Sequence, residues 1–276
     1  PFDCTKYRDR CGACPVLGSS SEVDLSRRTW QRKKNSWRNL HLTVVTPSRW
    51  MTQAARSSSL FRDVRVEHIP YGIDTELFKP LDQQESRRAL DLPLDKKIIL
   101  FGAVQAFSDP NKGFHWLQDA LRIAGQDSSD KLAVVFSSID RSRVSDLGMP
   151  AVFLGRVADA MLPALYSAAD VFVLPSKSEN LPLTVLEAMA CGTPCVAFRQ
   201  GGLPDQVDDQ TNGYLAQPYE IDDLARGISW VLEDEERLAL LSQRARQKVE
   251  TEFSQDREAS RYAELYREMV AGDGSH

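Results

Sequence analysis

The chain has 276 residues, of which 42% are hydrophobic and 26% charged, with a net charge of −5, which is the profile of a globular protein with a core and not of a disordered or fibrous one. No run approaches the roughly 20 apolar residues that a membrane-spanning helix needs, and no signal peptide is visible, so the expectation is a cytoplasmic domain. The charge is uneven: residues 1–70 hold 13 Lys or Arg against 6 Asp or Glu, a balance of +7 that leaves −12 for the rest.

In chain order, the first signal is Cys4-x6-Cys11-x2-Cys14, three thiols that could serve a structural metal whose fourth ligand would come from His41 or from a segment beyond this sequence. A disulfide among them is the alternative, less expected in a cytoplasmic protein. Next come Arg27, Arg28, Arg32, Lys33, Lys34 and Arg38, interleaved with Trp30 and Trp37. They form a candidate helix that either docks peripherally on the inner, anionic face of a membrane or simply presents a solvated basic face. No nucleic-acid fold motif accompanies this patch, so no nucleic-acid partner is expected.

Residues 42–45 read as a short strand, Thr46-Pro47-Ser48 as a helix start, 64–69 as another strand and Pro70-Tyr71-Gly72-Ile73-Asp74 as a crossover. A brief helix is expected over 85–90. Strand Lys97–Gly102 is almost continuously apolar, as a strand covered on both faces should be. Strands at 132–137, 150–154, 170–174 and 194–198 follow with helices between them, and a short strand follows Asn212-Gly213. Such alternation predicts an α/β fold with a Rossmann-like, doubly wound parallel sheet. Residues 224–270 read as a helical tail and Gly272 to His276 as a disordered end.

Glu179 and Glu187 stand eight positions apart across the join between strand 170–174 and a helix expected from Pro182 to Ala190. In an open α/β sheet, ligands bind outside the carboxyl ends of the strands, so a carboxylate in that loop faces a ligand. Alone, the pair also fits two solvated glutamates on a turn. Gly201-Gly202, after the next strand, lets backbone N–H groups approach an anion, or is merely a turn. Cys191 and Cys195 lie in an apolar stretch and read as small buried residues.

Taken together, Gly102 … Lys112-Gly113, Phe153-x-Gly155, Tyr166-x2-Ala169-Asp170-Val171-Phe172-Val173-x-Pro175-Ser176, Glu179-x7-Glu187-Ala188-Met189-Ala190-Cys191-Gly192-Thr193-Pro194 and Gly201-Gly202 … Asn212-Gly213 resemble the donor-binding half of retaining, GT-B fold glycosyltransferases of family 4. The resemblance runs from about His68 to Phe253; the cysteine-bearing region before it is similar to members that build bacterial cell-surface polysaccharide. It implies a truncated chain in three parts: 1–70, the remnant of an amino-terminal acceptor-side domain; 71–253, a nucleotide-sugar-binding domain; and 254–276, a carboxyl-terminal helix and disordered end. The histidine that the family places near the reacting carbon has no candidate here.

The implied reaction moves a hexosyl unit, with retention, from a nucleoside-diphosphate sugar to a glycan or lipid-linked acceptor, without a cofactor or metal; alone, this chain is expected to bind donor and transfer nothing. By resemblance, Lys112 offsets the diphosphate charge and Glu179 contacts the transferred sugar. Glu187 holds the ribose hydroxyls. The backbone N–H groups of Gly201, Gly202 and Leu203 hold phosphate, and Gly102, Gly155, Arg156 and Val157 border the base. Asn180, Leu181, Pro182 and Leu183 complete the loop. Many family members carry an arginine just after the first strand, where this chain has Ala103-Val104-Gln105, leaving Arg156 or Arg199 to substitute. The competing class is a non-catalytic nucleotide-sugar-binding module or an epimerase of the same fold; an epimerase would need further acid–base residues in this half.

Overall fold

The computed structural model describes residues 4–102, 109–126, 130–136 and 146–273, and the chain divides into two units, 1–70 and 71–276. In the first, α1 (Leu25–Trp37) starts at Asp24, whose carboxylate accepts the Arg27 N–H at 3.0 Å. A cap of this kind contributes about 1 kcal/mol. β1 (Thr43–Thr46) and β2 (Arg65–His68) pair in parallel and are joined through α2 (Arg49–Ser57).

Both tryptophans of α1 turn toward their own unit. Trp30 is buried and its Nε1 donates to Ser59 Oγ at 3.0 Å, while Trp37 stacks on Phe61 with centroids 5.8 Å apart. Arg27 and Lys34 lie over Trp30, and Lys33 over Trp37. The aromatic half of the membrane-docking pattern is therefore spent on packing. Cys4, Cys11 and Cys14 are free thiols. Among the described residues no three His, Cys, Asp or Glu side chains are grouped to hold a metal, so the metal alternative for these three thiols finds no support. No described helix is long and apolar enough to cross a membrane.

The second unit is built on six parallel strands: β3 (Lys97–Gly102), β4 (Lys131–Phe136), β5 (Ala151–Gly155), β6 (Val171–Leu174), β7 (Cys195–Phe198) and β8 (Gly213–Ala216). Where the sequence predicts a bounded strand, the observed ends agree within one residue. Their order is β5-β4-β3-β6-β7-β8, so the chain winds outward in one direction from β3 and returns to wind the other way from β6. The reversal between β3 and β6 is the topological switch point of a Rossmann-like sheet, where a crevice opens at the strands' carboxyl ends.

Strand β6 shows why the sheet is covered on both faces. Phe172 and Leu174 enter one apolar cluster, Val171 and Val173 the other, and all four are buried. Each such side chain contributes about 1.5–3 kcal/mol by leaving water. Helices α5 (Leu162–Ala168), α6 (Leu183–Ala190) and α9 (Glu235–Glu252) cover the first face, with α3 (Gln83–Ala89) packed on α5. The second face is covered by α4 (Phe114–Ala124), whose Phe114, Leu117, Leu121 and Ala124 repeat at helical spacing, and by α8 (Ile221–Leu232), while the single turn α7 (Leu203–Gln206) follows β7.

The expected helical tail consists of three helices, α8, α9 and α10 (Gln255–Asp273), with a break where Asp234 caps α9 by accepting the Arg237 N–H at 2.9 Å. α10 continues to Asp273, past the glycine at which a disordered end is expected; 274–276 lie outside the described residues. Arg246 on α9 donates to the carbonyls of Phe78 (2.6 Å), Ala190 (2.9 Å) and Thr75 (3.0 Å), tying the start of this unit to α6.

Candidate functional site

The loops after β3 and β6 are locked together. Asp109 accepts the Asn111 N–H at 2.9 Å and shapes a 3-10 turn over Pro110–Lys112, after which Gly113 takes φ +70°. A Cβ there would stand 1.9 Å from the Pro175 carbonyl oxygen, so only glycine allows this approach. The Lys177 N–H donates to Asn111 O at 2.7 Å. With the two loops held, Lys112 Nζ donates to Glu179 Oε1 at 2.9 Å, and the side chains are 30% and 16% exposed. Lys112 follows β3 and Glu179 follows β6, so the ion pair spans the switch point.

The loop after β7 supports the same carboxylate loop. Glu179 O accepts the Gly202 N–H at 3.0 Å, and Leu203 N–H donates to Gln200 O at 3.2 Å. This corrects the expectation that both N–H groups are free for phosphate, because Gly202 serves the Glu179 loop and Leu203 closes a turn on Gln200. Among the described residues no acceptor takes the Gly201 N–H. Free donors also lie at the start of α6, one residue later than expected: Pro182 is the N-cap and has no capping side chain, and the Leu183 and Thr184 N–H groups precede the first intrahelical bond. Leu181 anchors the loop in the core, while Gln206 Nε2 donates to Pro182 O at 3.0 Å. Asn180 is half-buried between them.

Glu187 is the fifth residue of α6 and accepts the Tyr166 hydroxyl at 2.7 Å. Burial pushes its carboxyl above the ordinary glutamate range, against the lowering effect of the Tyr166 hydrogen bond and with a small push from Asp159. Gly102 ends β3 and Gly155 ends β5; Arg156 is exposed and Val157 packs on the core. Among the described residues no hydrogen bond or ion pair joins Gly155, Arg156 or Val157 to Lys112 or Glu179. Ala103-Val104-Gln105 lie outside the described residues. Arg199, one substitute for the family arginine, is paired with Asp209.

Several rim residues carry no motif that sequence reasoning could use. Gln200 Nε2 donates to Ser176 O at 2.8 Å, and Tyr219, held at φ +68°, donates to Gln200 Oε1 at 3.0 Å. Ser176 Oγ is buried without a partner. Cys191 and Cys195 are inert: burial pushes the Cys191 thiol up to about 12 and raises Cys195 as well. A cavity of ≈ 500 Å³ in the first unit is lined by Cys4, Tyr7, Val44, Trp50, Met51 and Phe61, and contains none of the expected donor-site residues.

Gly201 has φ +58°, and a Cβ there would meet Glu179 O at 2.0 Å. Gly201→Ala should therefore displace the Glu179 loop, costing about 1–3 kcal/mol of stability through backbone strain and weakening nucleotide binding. Urea unfolding and calorimetric titration on the same variant check both effects; unchanged stability would mean that the loop yields freely.

A doubly wound sheet with a lysine–glutamate pair across its switch point defines a Rossmann-like α/β domain with its candidate site at the strand ends. The sequence pattern of the family described as glycosyl transferases group 1 matches residues 82–248, more than half of the 276, and the chain belongs to that family. Over 221 residues it is 33% identical to the D-inositol 3-phosphate glycosyltransferase of Saccharomonospora viridis, covering 75% of this chain and 51% of that one. Sucrose-phosphate synthase from Thermosynechococcus elongatus superposes with a TM-score of 0.72 at 26% identity, over 95% of this chain and 67% of that one. Anabaena HepE, solved in complex with UDP and glucose, superposes with a TM-score of 0.73 at 23% identity, over 86% of this chain and 66% of that one, a likeness of fold. The chain spans about half the length of the curated relatives it matches.

Proposed function

We propose that residues 71–276 bind a nucleoside-diphosphate sugar at the switch-point crevice, and that the whole protein transfers the sugar, with retention, to an acceptor hydroxyl. The observation that carries this reading is the Lys112–Glu179 pair at 2.9 Å. A diphosphate entering the crevice competes with Glu179 for the ammonium group, and the N–H groups of Gly201, Leu183 and Thr184 add oriented dipoles without a metal. Glu179, freed of Lys112, is then placed for the hydroxyls of the sugar, and Glu187 for those of the ribose. Gly102, Gly155, Arg156 and Val157 are assigned to the base side. The two carboxylates position the ligand; neither is assigned as nucleophile, and the leaving phosphate assists deprotonation of the acceptor.

The acceptor is proposed as a glycan or lipid-linked hydroxyl, as in cell-surface polysaccharide synthesis; the relatives' names make D-inositol 3-phosphate a second acceptor to assay beside it. The basic face of α1, with its tryptophans turned inward, supports contact with an anionic surface through charge alone.

The decisive experiment is a thermal-shift panel of uridine, guanosine and adenosine diphosphates and their sugars against this chain and its Lys112→Ala variant. A ligand at 100 times its Kd stabilises the folded state by about 2.7 kcal/mol. One base should raise the melting temperature of the wild type well above that of the variant. If no nucleotide distinguishes the two proteins, the site assignment fails. The chain alone is expected to bind without transferring, because the acceptor must be oriented by residues beyond this site; turnover by the chain itself would refute that part.

A further inference from the structure

Glu187 is a half-buried carboxylate with no ion-pair partner among the described residues. Its neighbours are few: Tyr166 from α5, Asp159 from the turn before it, and Cys191 one helical turn further along α6, itself beside Arg246. Among the described residues no Lys, Arg or His forms an ion pair with it, whereas buried Asp170 has Arg87 and buried Asp223 has Arg226. Among the described residues one donor alone serves it, the Tyr166 hydroxyl on Oε2 at 2.7 Å, and none donates to Oε1. A carboxylate desolvated without a counter-ion weakens the fold, which argues for retention by a ligand and not by stability.

Tyr166 is built to hold that one bond. Its ring is fully buried, 5.8 Å from Phe172 and 6.1 Å from Phe136 edge to face, and tilted against Phe78 at 6.4 Å. Thr193 Oγ1 fixes its backbone by donating to Tyr166 O at 2.7 Å. Rings packed on three sides leave the hydroxyl one place to point. Burial and the adjacent carboxylate push the phenol well above its ordinary range, so it stays protonated and can only donate the proton it shares with Glu187.

We propose that Tyr166 is a positioning residue of the donor site: its fixed hydroxyl occupies Oε2 of Glu187, holds the carboxylate in one orientation and leaves Oε1 as the acceptor for a ribose hydroxyl. The inference rests on the reading of Glu187 given above. A second consequence concerns ionisation. A hydrogen bond to the charged form favours that form, so Tyr166 keeps Glu187 able to accept from the ligand at a pH where burial alone would protonate it.

The test is the affinity of UDP-glucose between about pH 5 and 8, chosen because its diphosphate diester does not titrate there, for wild type, Tyr166→Phe and Glu187→Gln. Affinity should fall as pH drops through the Glu187 titration, and in Tyr166→Phe that acid limb should move to higher pH by about one unit, as expected for the loss of one hydrogen bond to a charged group. Glu187→Gln should bind weakly at every pH and show no acid limb. A purely structural tyrosine would lower the melting temperature and leave the limb in place, which overturns the inference. Wild-type affinity in Glu187→Gln would instead overturn the ribose assignment itself. A second measurement leaves Tyr166 intact: near-ultraviolet difference spectra over the same range should contain a tyrosine signal that tracks the acid limb in wild type and vanishes in Glu187→Gln. Should Tyr166→Phe fail to fold, the lack of that signal in wild type overturns the proposal.

Discussion

Replacing Lys112 with alanine should weaken the binding of a nucleoside diphosphate and of its sugar alike by about 10- to 100-fold, the range set by about 1.5–3 kcal/mol for hydrogen bonds to a charged group. Glu179→Gln should behave differently. In the unliganded chain Glu179 Oε1 holds the ammonium group at 2.9 Å, so the carboxylate competes with the diphosphate for the same cation and repels it. Removing that charge should leave diphosphate affinity unchanged or raise it, whereas the sugar-bearing donor loses a charged acceptor for its hydroxyls and binds more weakly. Calorimetric titration of uridine diphosphate and UDP-glucose against both variants gives four constants whose signs are fixed in advance. A Glu179→Gln protein that loses both ligands equally would show that Glu179 acts by holding Lys112 and does not touch the sugar. Where a suitable acceptor supports turnover of the whole protein, Lys112→Ala should also lower kcat by about 10²–10³, because charge accumulates on the diphosphate as the bond to the sugar breaks.

The sheet was legible because its signal is local. A run such as Val171 to Leu174 needs no knowledge of its neighbours to be read as a strand covered on both faces, and Pro175 marks its end. Lys112 and Glu179 were legible through a pattern of residue types, yet their pairing was not, since contact between residues 67 positions apart depends on the close approach of Gly113 to Pro175. The glycine pair misled for a related reason. Gly201-Gly202 signals that backbone comes close to something, and the sequence cannot say whether that is a phosphate or, as here, the carbonyl of Glu179. The tryptophans of α1 show the same limit: interleaving with basic residues fits a membrane surface and an internal stack equally, and only tertiary contacts with Ser59 and Phe61 decide between them. Gln200 and Tyr219 were invisible because neither belongs to a period or a motif.

Asp170→Ala should be among the most destabilising single changes in the chain, by about 3–5 kcal/mol, because it strands a buried charge. Arg87 and Asp170 are 3% and 7% exposed, and Arg87 Nη2 donates to Asp170 Oδ2 at 2.8 Å. The same oxygen accepts the Ile98 N–H at 2.6 Å, while Arg87 also donates to Ala168 O at 2.9 Å and Leu94 O at 3.0 Å. The pair thus fixes α3 to the entry of β3 and β6, and its loss leaves both a guanidinium and a backbone N–H of the central strand unsatisfied. With a domain of this size shifting by about 2–4 °C per kcal/mol, the melting temperature should fall by roughly 6–20 °C. The double variant Arg87→Met with Asp170→Leu should lose much less than the two single losses added together, since each single change leaves a partner buried and the double leaves none. Additive losses would mean that the residues act independently. Because the pair lies at the amino ends of β3 and β6, opposite the crevice, nucleotide affinity measured well below the melting temperature should stay unchanged. An Asp170 variant that folds yet fails to bind would place the carboxylate in the ligand's support and not only in the fold's.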